Sequence, residues 1–265
     1  MAKSQLVTLL TDFGTRDPFV GAMKGVLLSV CPAAQIVDIS HEVPVQDVLT
    51  GAFVLAHAAP YYPPGTLHVV VVDPGVGTER SILAASFGGQ LFLFPDNGVI
   101  TLVAKSMPLE AIATVRAPAY FYPRPPSTTF HGRDVFAPVA GQILNGLDIR
   151  RLGPQPTTYK LLEIAEATQE QGAVIGSVIY VDHFGNCISN ISQDLVALRE
   201  ELETGSVLCA GREVGAIRNT YADVPEGQPL ALFNSMRLLE VSVNSGRACD
   251  EFRAAVGTEV RLEKR

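Results

Sequence analysis

Between residues 6 and 72 the sequence alternates three short apolar, β-branched runs with two helix-like stretches, an order that leaves few folds open. The runs at 6–10, 35–39 and 67–72 read as strands, and 45–59 reads as a helix. Asp17 offers an N-cap, with Pro18 at the first helical position, for another helix running to about Val30, where Pro32 stops it. A βαβαβ order predicts an α/β domain with a mostly parallel sheet and right-handed crossovers. Residues 81–86 and 90–94 flank Phe87-Gly88-Gly89 as a hairpin, Pro95-Asp96-Asn97-Gly98 opens a short helix, and 135–144 reads as another. The stretch 117–129, with Tyr120, Phe121, Tyr122, Pro123, Pro125 and Pro126, reads as a covering loop.

The pattern changes over a polar, partly acidic stretch, read as a linker at 161–172 between a domain at 1–160 and a smaller one at 173–265. Runs at 174–181, 206–209, 213–217, 230–233, 238–243 and 259–262, punctuated by Gly and Asn, predict an all-β, barrel-like domain. A formal net charge of −7 argues against broad nucleic-acid binding. No apolar run approaches a membrane span, and no signal-peptide pattern precedes residue 6, so the chain reads as cytoplasmic, without membrane contact. Cys31, Cys187, Cys209 and Cys249 form no CxxC pair and read as small buried hydrophobes of a reducing compartment.

Three of the predicted strands deliver an aspartate into a glycine-containing loop. The first ends in Thr11-Asp12-Phe13-Gly14, the third in Asp73-Pro74-Gly75-Val76-Gly77 with Arg80 following, and 174–181 in Asp182-His183-Phe184-Gly185-Asn186. Ligands of open α/β sheets bind beyond the carboxyl ends of strands, which makes these ends a candidate site. Asp12-Phe13-Gly14 is no kinase signature, since no Gly-rich loop or His-Arg-Asp loop accompanies it. The Pro74–Gly77 loop is open to an anion nest but by itself reads as a tight turn. His131, in Phe130-His131-Gly132-Arg133-Asp134 after the Pro-rich segment, is open to a structural or a functional role. His41 could line the sheet edge, His57 reads as core or surface, His68 lies in a strand, and His183 adjoins Asp182. No metal-ligand spacing supports a carboxylate–histidine metal site, and no G-x-S-x-G elbow is present.

Together with Asp17, Pro95-Asp96-Asn97-Gly98 and Asn234-Ser235, these motifs resemble the S-adenosyl-L-methionine (SAM) hydroxide adenosyltransferase family, the SAM hydrolases related to fluorinase and chlorinase. They occur in family order along nearly the whole chain. The resemblance implies an N-terminal α/β domain, a C-terminal barrel-like domain, and a homotrimer with active sites between the N-domain of one subunit and the C-domain of the next. It implies SAM as substrate, with no metal or redox cofactor. Asp12 would hold the ribose hydroxyls, Asp182 and Ser235 the methionine, and Phe184 and Asn186 the adenine, with Asp17 on the substrate side. Asp73, Arg80 and His131 match the triad of the water-using branch, with Arg80 keeping Asp73 charged. Halide-using members carry Tyr in place of Asp73 and no His at the position of His131, and fluoride use relies on a Ser where Gly132 stands. After Ser235 the chain departs from its relatives with Met236-Arg237, leaving Arg237 either a partner for a carboxylate or an exposed side chain. The implied reaction is hydrolysis to adenosine and L-methionine. The alternatives are a halide-dependent adenosyltransferase and a SAM- or adenosine-binding sensor without turnover.

Overall fold

In the N-terminal half, strand runs at 6–11 and 67–71 are buried on both faces and alternate with helices that cover them, while the run at 35–40 is an exposed edge. The computed structural model describes residues 5–122, 125–198, 202 and 205–264, so Pro123 of the Pro-rich segment lies outside the described residues. Two compact units divide the chain, Met1–Leu162 and Glu163–Arg265.

The first unit runs β1 (Leu6–Thr11), α1 (Phe19–Val30), β2 (Gln35–Ser40), α2 (Val48–Ala58), β3 (Leu67–Val71), β4 (Ile82–Phe87), β5 (Gln90–Pro95), α3 (Thr101–Ser106) and β6 (Leu109–Thr114). A π-helical turn (Gly132–Phe136) then leads into α4 (Ala137–Leu144). The sheet order is β2-β1-β3-β5-β4-β6. β1 is parallel to β2 and β3, and β3 to β5, but β4 is antiparallel to both β5 and β6. The sheet is therefore mixed rather than mostly parallel. Its cause is the expected hairpin: the two-residue Gly88-Gly89 turn, both at positive φ, can join only antiparallel neighbours.

Alternate residues of β3 explain why its run is apolar but for His68. Leu67, Val69 and Val71 join one core with Leu27 and Val139 from the helices, while Val70 and Val72 join the opposite core with Leu55 and Val103. His68 lies fully buried in that strand, with Nδ1 2.7 Å from Thr8 Oγ1 and its ring stacked on Phe92. Burial pushes its pKa down to about 4, so it is a neutral core histidine.

Three helix starts differ from expectation. α1 begins at Phe19 with Pro18 as its flanking residue, whose carbonyl accepts from Ala22, and Asp17 makes no capping bond. α2 begins at Val48 rather than Val45, because Gln46 sits at φ 64° and Asp47 caps the helix by accepting from Thr50 N at 2.9 Å. Pro95–Gly98 forms a turn before α3, held by Asn97 Nδ2 donating to the Val72 carbonyl at 2.8 Å.

The second unit contains β7 (Thr168–Glu170), β8 (Ala173–Val181), β9 (Cys187–Ser192), α5 (Gln193–Ala197), β10 (Ser206–Cys209), β11 (Arg212–Gly215), β12 (Ile217–Arg218), β13 (Pro229–Phe233), β14 (Leu238–Val243), α6 (Ala248–Phe252) and β15 (Glu259–Glu263). Its strand path is β11-β10-β15-β8-β9-β14-β13-β12, and β11 also lies against β13, which makes the sheet nearly barrel-shaped. β8 pairs with β15 along its first half and with β9 along its second, so one bent strand serves both sides. Val174, Val178, Leu239, Val241, Val260 and Leu262 fill the interior. All four cysteines are free; Cys31, Cys187 and Cys209 are buried as expected of small hydrophobes, whereas Cys249, on α6, is only partly buried. Burial raises the Cys187 thiol to about 12 and the Cys209 thiol to about 11. Among the described residues no helix is long and apolar enough to cross a membrane.

Candidate active site

Asp73 lies two residues beyond β3, where the chain turns back on itself through Val76 N to Asp73 O and Thr78 N to Gly75 O. That turn returns Arg80 to the aspartate. Arg80 Nε donates to Asp73 Oδ1 at 2.9 Å and Nη2 donates to Oδ2, a two-pronged ion pair. The two side chains are only 4% (Asp73) and 7% (Arg80) exposed, which makes this a buried pair rather than a surface one. Arg80 Nη2 also lies 2.9 Å from His131 Nδ1. A guanidinium only donates, so Nδ1 accepts and the imidazole proton resides on Nε2. Burial, and then the Arg80 charge, lower the His131 pKa, against opposing pulls from Asp73 and Asp134.

Asp12 follows β1, and the parallel pairing of β1 with β3 sets its loop beside that of Asp73. Its Oδ2 accepts from the Gln46 backbone N–H at 2.8 Å, a donor aimed by the positive φ of Gln46. Burial raises the Asp12 pKa, with the Gln46 N–H opposing and the Asp73 charge adding to the rise. Behind it, Thr11 Oγ1 lies 2.9 Å from His41 Nδ1, and His41 Nε2 lies 3.1 Å from Asp38, which Lys24 contacts at 2.6 Å. His41 is therefore a buried prop under the Asp12 loop.

Asp12, Asp73 and His131 line one cavity of ≈ 220 Å³ with the rings of Phe13, Phe19 and Phe130. The three rings meet edge to face at 5.2–6.0 Å. Thr129, at the end of the Pro-rich segment, also lines it. Its neighbour Thr128 approaches Gly77 so closely that a Cβ there would sit 2.5 Å from the Thr128 carbonyl oxygen. Asp17 is exposed and is not among the lining residues.

Gly132 is walled in: a Cβ would meet Met23 Sδ at 3.0 Å and the Phe13 and Phe130 rings at 3.3 Å. Gly132→Ser should therefore cost about 1–3 kcal/mol by overpacking. Urea unfolding measures it, and a loss under about 0.5 kcal/mol would show that the rings yield freely.

Asp134 was part of a quoted motif, yet sequence reasoning gave it no role. It is fully buried, accepting from Ser127 N at 2.8 Å and Arg133 Nη2 at 3.0 Å, while its carbonyl accepts from Tyr122 N. It ties the loop ahead of His131 to the π-helical turn. A charged residue opening the apolar run Val135-Phe136-Ala137 was the available signal.

In the second unit, Asp182, Phe184, Asn186 and Ser235 line a pocket of ≈ 1000 Å³. Asp182 follows β8, and both its oxygens accept from Asn186, Oδ1 from the backbone N at 2.8 Å and Oδ2 from Nδ2 at 2.9 Å. Phe184, at the tip of that turn, is 70% exposed and offers a bare aromatic face. Ser235 sits in the β13–β14 turn, which Asn234 Oδ1 shapes by accepting from Met236 N and Leu238 N at 3.0 and 3.2 Å. Met236 lines the pocket, whereas Arg237 is exposed and pairs with Asp194. Tyr221, Glu240 and Arg247 also line it and were not foreseen. Among the described residues, no three His, Cys, Asp or Glu side chains gather to hold a metal ion.

Comparison with known proteins adds to this geometry. Residues 7–153 match the SAM hydroxide adenosyltransferase N-terminal domain, and residues 176–261 match the corresponding C-terminal domain. A protein named (R)-S-adenosyl-L-methionine hydrolase from Thermus thermophilus is 38% identical, over 97% of this chain and 98% of its own length. A fluorinase from Actinoplanes sp. is 24% identical over 98% of this chain and 97% of its own. The crystal structure of an uncharacterized conserved protein from Thermotoga maritima superposes with a TM-score of 0.91 at 36% identity, covering 97% of this chain and 100% of that one.

Proposed function

From the premise that the chain belongs to the SAM hydroxide adenosyltransferase family, we propose that it hydrolyses SAM to adenosine and L-methionine by attack of water on C5′. The observation that carries this reading is the buried Asp73–Arg80–His131 array beside Asp12 at one small cavity. The sulfonium makes C5′ electrophilic and leaves as a neutral thioether, so no acid is needed on the leaving side. Water oxygen bonds to C5′, the C5′–S electron pair returns to sulfur, and a water proton is lost. Asp73 Oδ1 accepts from Arg80 Nε and from Gly75 N, whereas Oδ2 accepts from Arg80 Nη2 and keeps a lone pair free to accept that proton. His131, protonated at Nε2, offers a donor that orients the water rather than a second base.

Asp12 would accept from both ribose hydroxyls. With Asn186 Nδ2 spent on Asp182, its Oδ1 remains to accept from the adenine amino group, and Phe184 would stack on the ring. Asp182 would pair with the methionine ammonium, and Ser235 would donate to its carboxylate. A homotrimer in which the N-terminal unit of one subunit meets the C-terminal unit of the next would bring both sets to one substrate; light scattering should read three chains.

Two carboxylates line the reacting cavity while Arg80 is not among its lining residues, a charge balance unfavourable to halide. The Thermus relative's name specifies the R configuration at sulfur. We extend that preference to this chain, a point sequence reasoning left open. Incubation with each separated sulfonium epimer, with and without chloride, tests the reading. Adenosine and methionine should form from the R epimer in either buffer. Intact SAM throughout would favour a sensor, and 5′-chloro-adenosine only with chloride would favour the halide branch.

The His131 shift sets a pH dependence. The neutral ring is the form that accepts from Arg80, so kcat/KM should be flat above the ordinary value of 6.5 and fall on the acid side below it. Stability follows the same sign. The unfolded chain takes up the proton more readily, so this contribution is present above 6.5 and is lost as the pH falls through the lowered folded-state value. A kcat/KM that rises as the pH drops below 6.5 would contradict this role.

A further inference from the structure

We infer that Glu240 is a positioning residue for substrate binding, a buried carboxylate that fixes Tyr221 and the Ser235 turn as two walls of the second unit's pocket. The inference rests on the reading that this pocket holds the adenine and methionine ends of SAM. Glu240 is 3% exposed and lies in β14, within a strand otherwise read as core. Its oxygens accept from three neutral donors: Tyr221 Oη and Ser242 Oγ on Oε1, each at 2.7 Å, and Asn234 Nδ2 on Oε2 at 3.1 Å. Burying a carboxylate against neutral donors alone is costly, and a core position would be better served by an apolar residue. The arrangement makes sense if the bonds matter for where they hold their donors.

Two of the three donors face the pocket. Tyr221 is a pocket-lining aromatic on the turn after β12, and Asn234 precedes Ser235. Asn234 has its oxygen committed to Met236 N and Leu238 N, so its amino group must find an acceptor, and Glu240 Oε2 is that acceptor. One carboxylate thus sets the tilt of a ring on one wall and the turn of a hydroxyl on another. Burial and the bond to Glu240 also hold the Tyr221 phenol well above its ordinary pKa, so this ring is a permanent donor.

Glu240→Gln keeps the volume but replaces one acceptor oxygen with a donor. Turned toward Asn234, the amide nitrogen meets a group that only donates; turned toward Tyr221 and Ser242, it makes the hydroxyls reverse from donors to acceptors, so either way the present set of bonds is lost. Calorimetric titration with SAM should find about tenfold weaker binding, with kcat at saturation changed by less than about threefold. The Tyr221→Phe variant should lose affinity too, and the two changes together should cost less than the product of their separate effects. Tyr221→Phe also carries the test should Glu240→Gln not fold, since it removes one hydroxyl only. Unchanged SAM binding in a folded Glu240→Gln protein, or strictly multiplicative losses in the double variant, would overturn the assignment and leave a structural carboxylate. Failure of the wild-type protein to bind SAM at all would instead overturn the underlying reading of the pocket.

Discussion

Replacing Asp73 with Asn should lower the turnover of SAM by about 10²–10⁴-fold while changing its dissociation constant by less than about threefold. The substitution keeps the side chain's size and one acceptor oxygen for Arg80, so it costs stability by leaving that cation without its counter-charge but keeps the lining shared with Asp12 and His131. It removes the negative charge that, in the proposed mechanism, would receive the water proton, a demand made only in the transition state. In the proposed reading binding falls to other groups, Asp12 in the first unit and the Asp182–Ser235 pocket in the second. Single-turnover kinetics separate the two quantities. A collapse of affinity with turnover of bound SAM preserved would assign Asp73 to binding rather than to chemistry.

Arg80→Met should be the most damaging change to stability near the site, at about 3–5 kcal/mol. Arg80 makes both prongs of the contact to a carboxylate that is only 4% exposed, and it also holds His131 Nδ1. Removing it leaves Asp73 buried without its cation, so the cost is that of an uncompensated charge rather than of one lost bond. Two checks follow from this cause. Adding Asp73→Asn to Arg80→Met should recover much of the loss, because the orphaned charge disappears. Arg80→Lys should recover only part, since an ammonium cannot span both carboxylate oxygens. Urea unfolding of the three variants measures this, and a loss under about 1 kcal/mol for Arg80→Met would mean that water screens the pair.

The legible parts of the sequence are those where local pattern and tertiary role agree. β3 is readable as a run apolar but for His68 because helices cover both of its faces, and the Gly88-Gly89 hairpin because only glycine suits that turn. β9 escaped notice because Cys-Ile-Ser-Asn-Ile-Ser looks too polar for a barrel strand. Its polar groups are spent internally: Ser189 donates to the Leu239 carbonyl at 2.8 Å, and Asn190 Oδ1 accepts from Ser177 N at 2.9 Å. β6 was missed because Leu-Glu-Ala-Ile-Ala-Thr is rich in helix formers, and Glu110 betrays its strand role through its bonds to Ser86 Oγ and Gly89 N of the neighbouring hairpin.

The candidate site was legible as strand ends, since β1 beside β3 brings Asp12 and Asp73 together from positions 61 residues apart in sequence. What sequence could not supply was backbone and tautomer. The Gln46 N–H on Asp12 depends on a positive φ that nothing in Val45-Gln46-Asp47 announces. The proton on His131 Nε2 follows only from where Arg80 points. Glu240 was hidden for another reason, as one acidic residue inside an apolar strand whose donors, Tyr221, Asn234 and Ser242, come to it only once the strands and turns are formed.

The central claim is attack of water on C5′ of SAM, and hydrolysis in ¹⁸O-water followed by mass spectrometry of the nucleoside tests it most directly. The account predicts adenosine carrying one ¹⁸O at its 5′-hydroxyl, with unlabelled methionine. Adenosine without the label would mean that the oxygen at C5′ does not come from solvent, which would contradict the mechanism at its first bond.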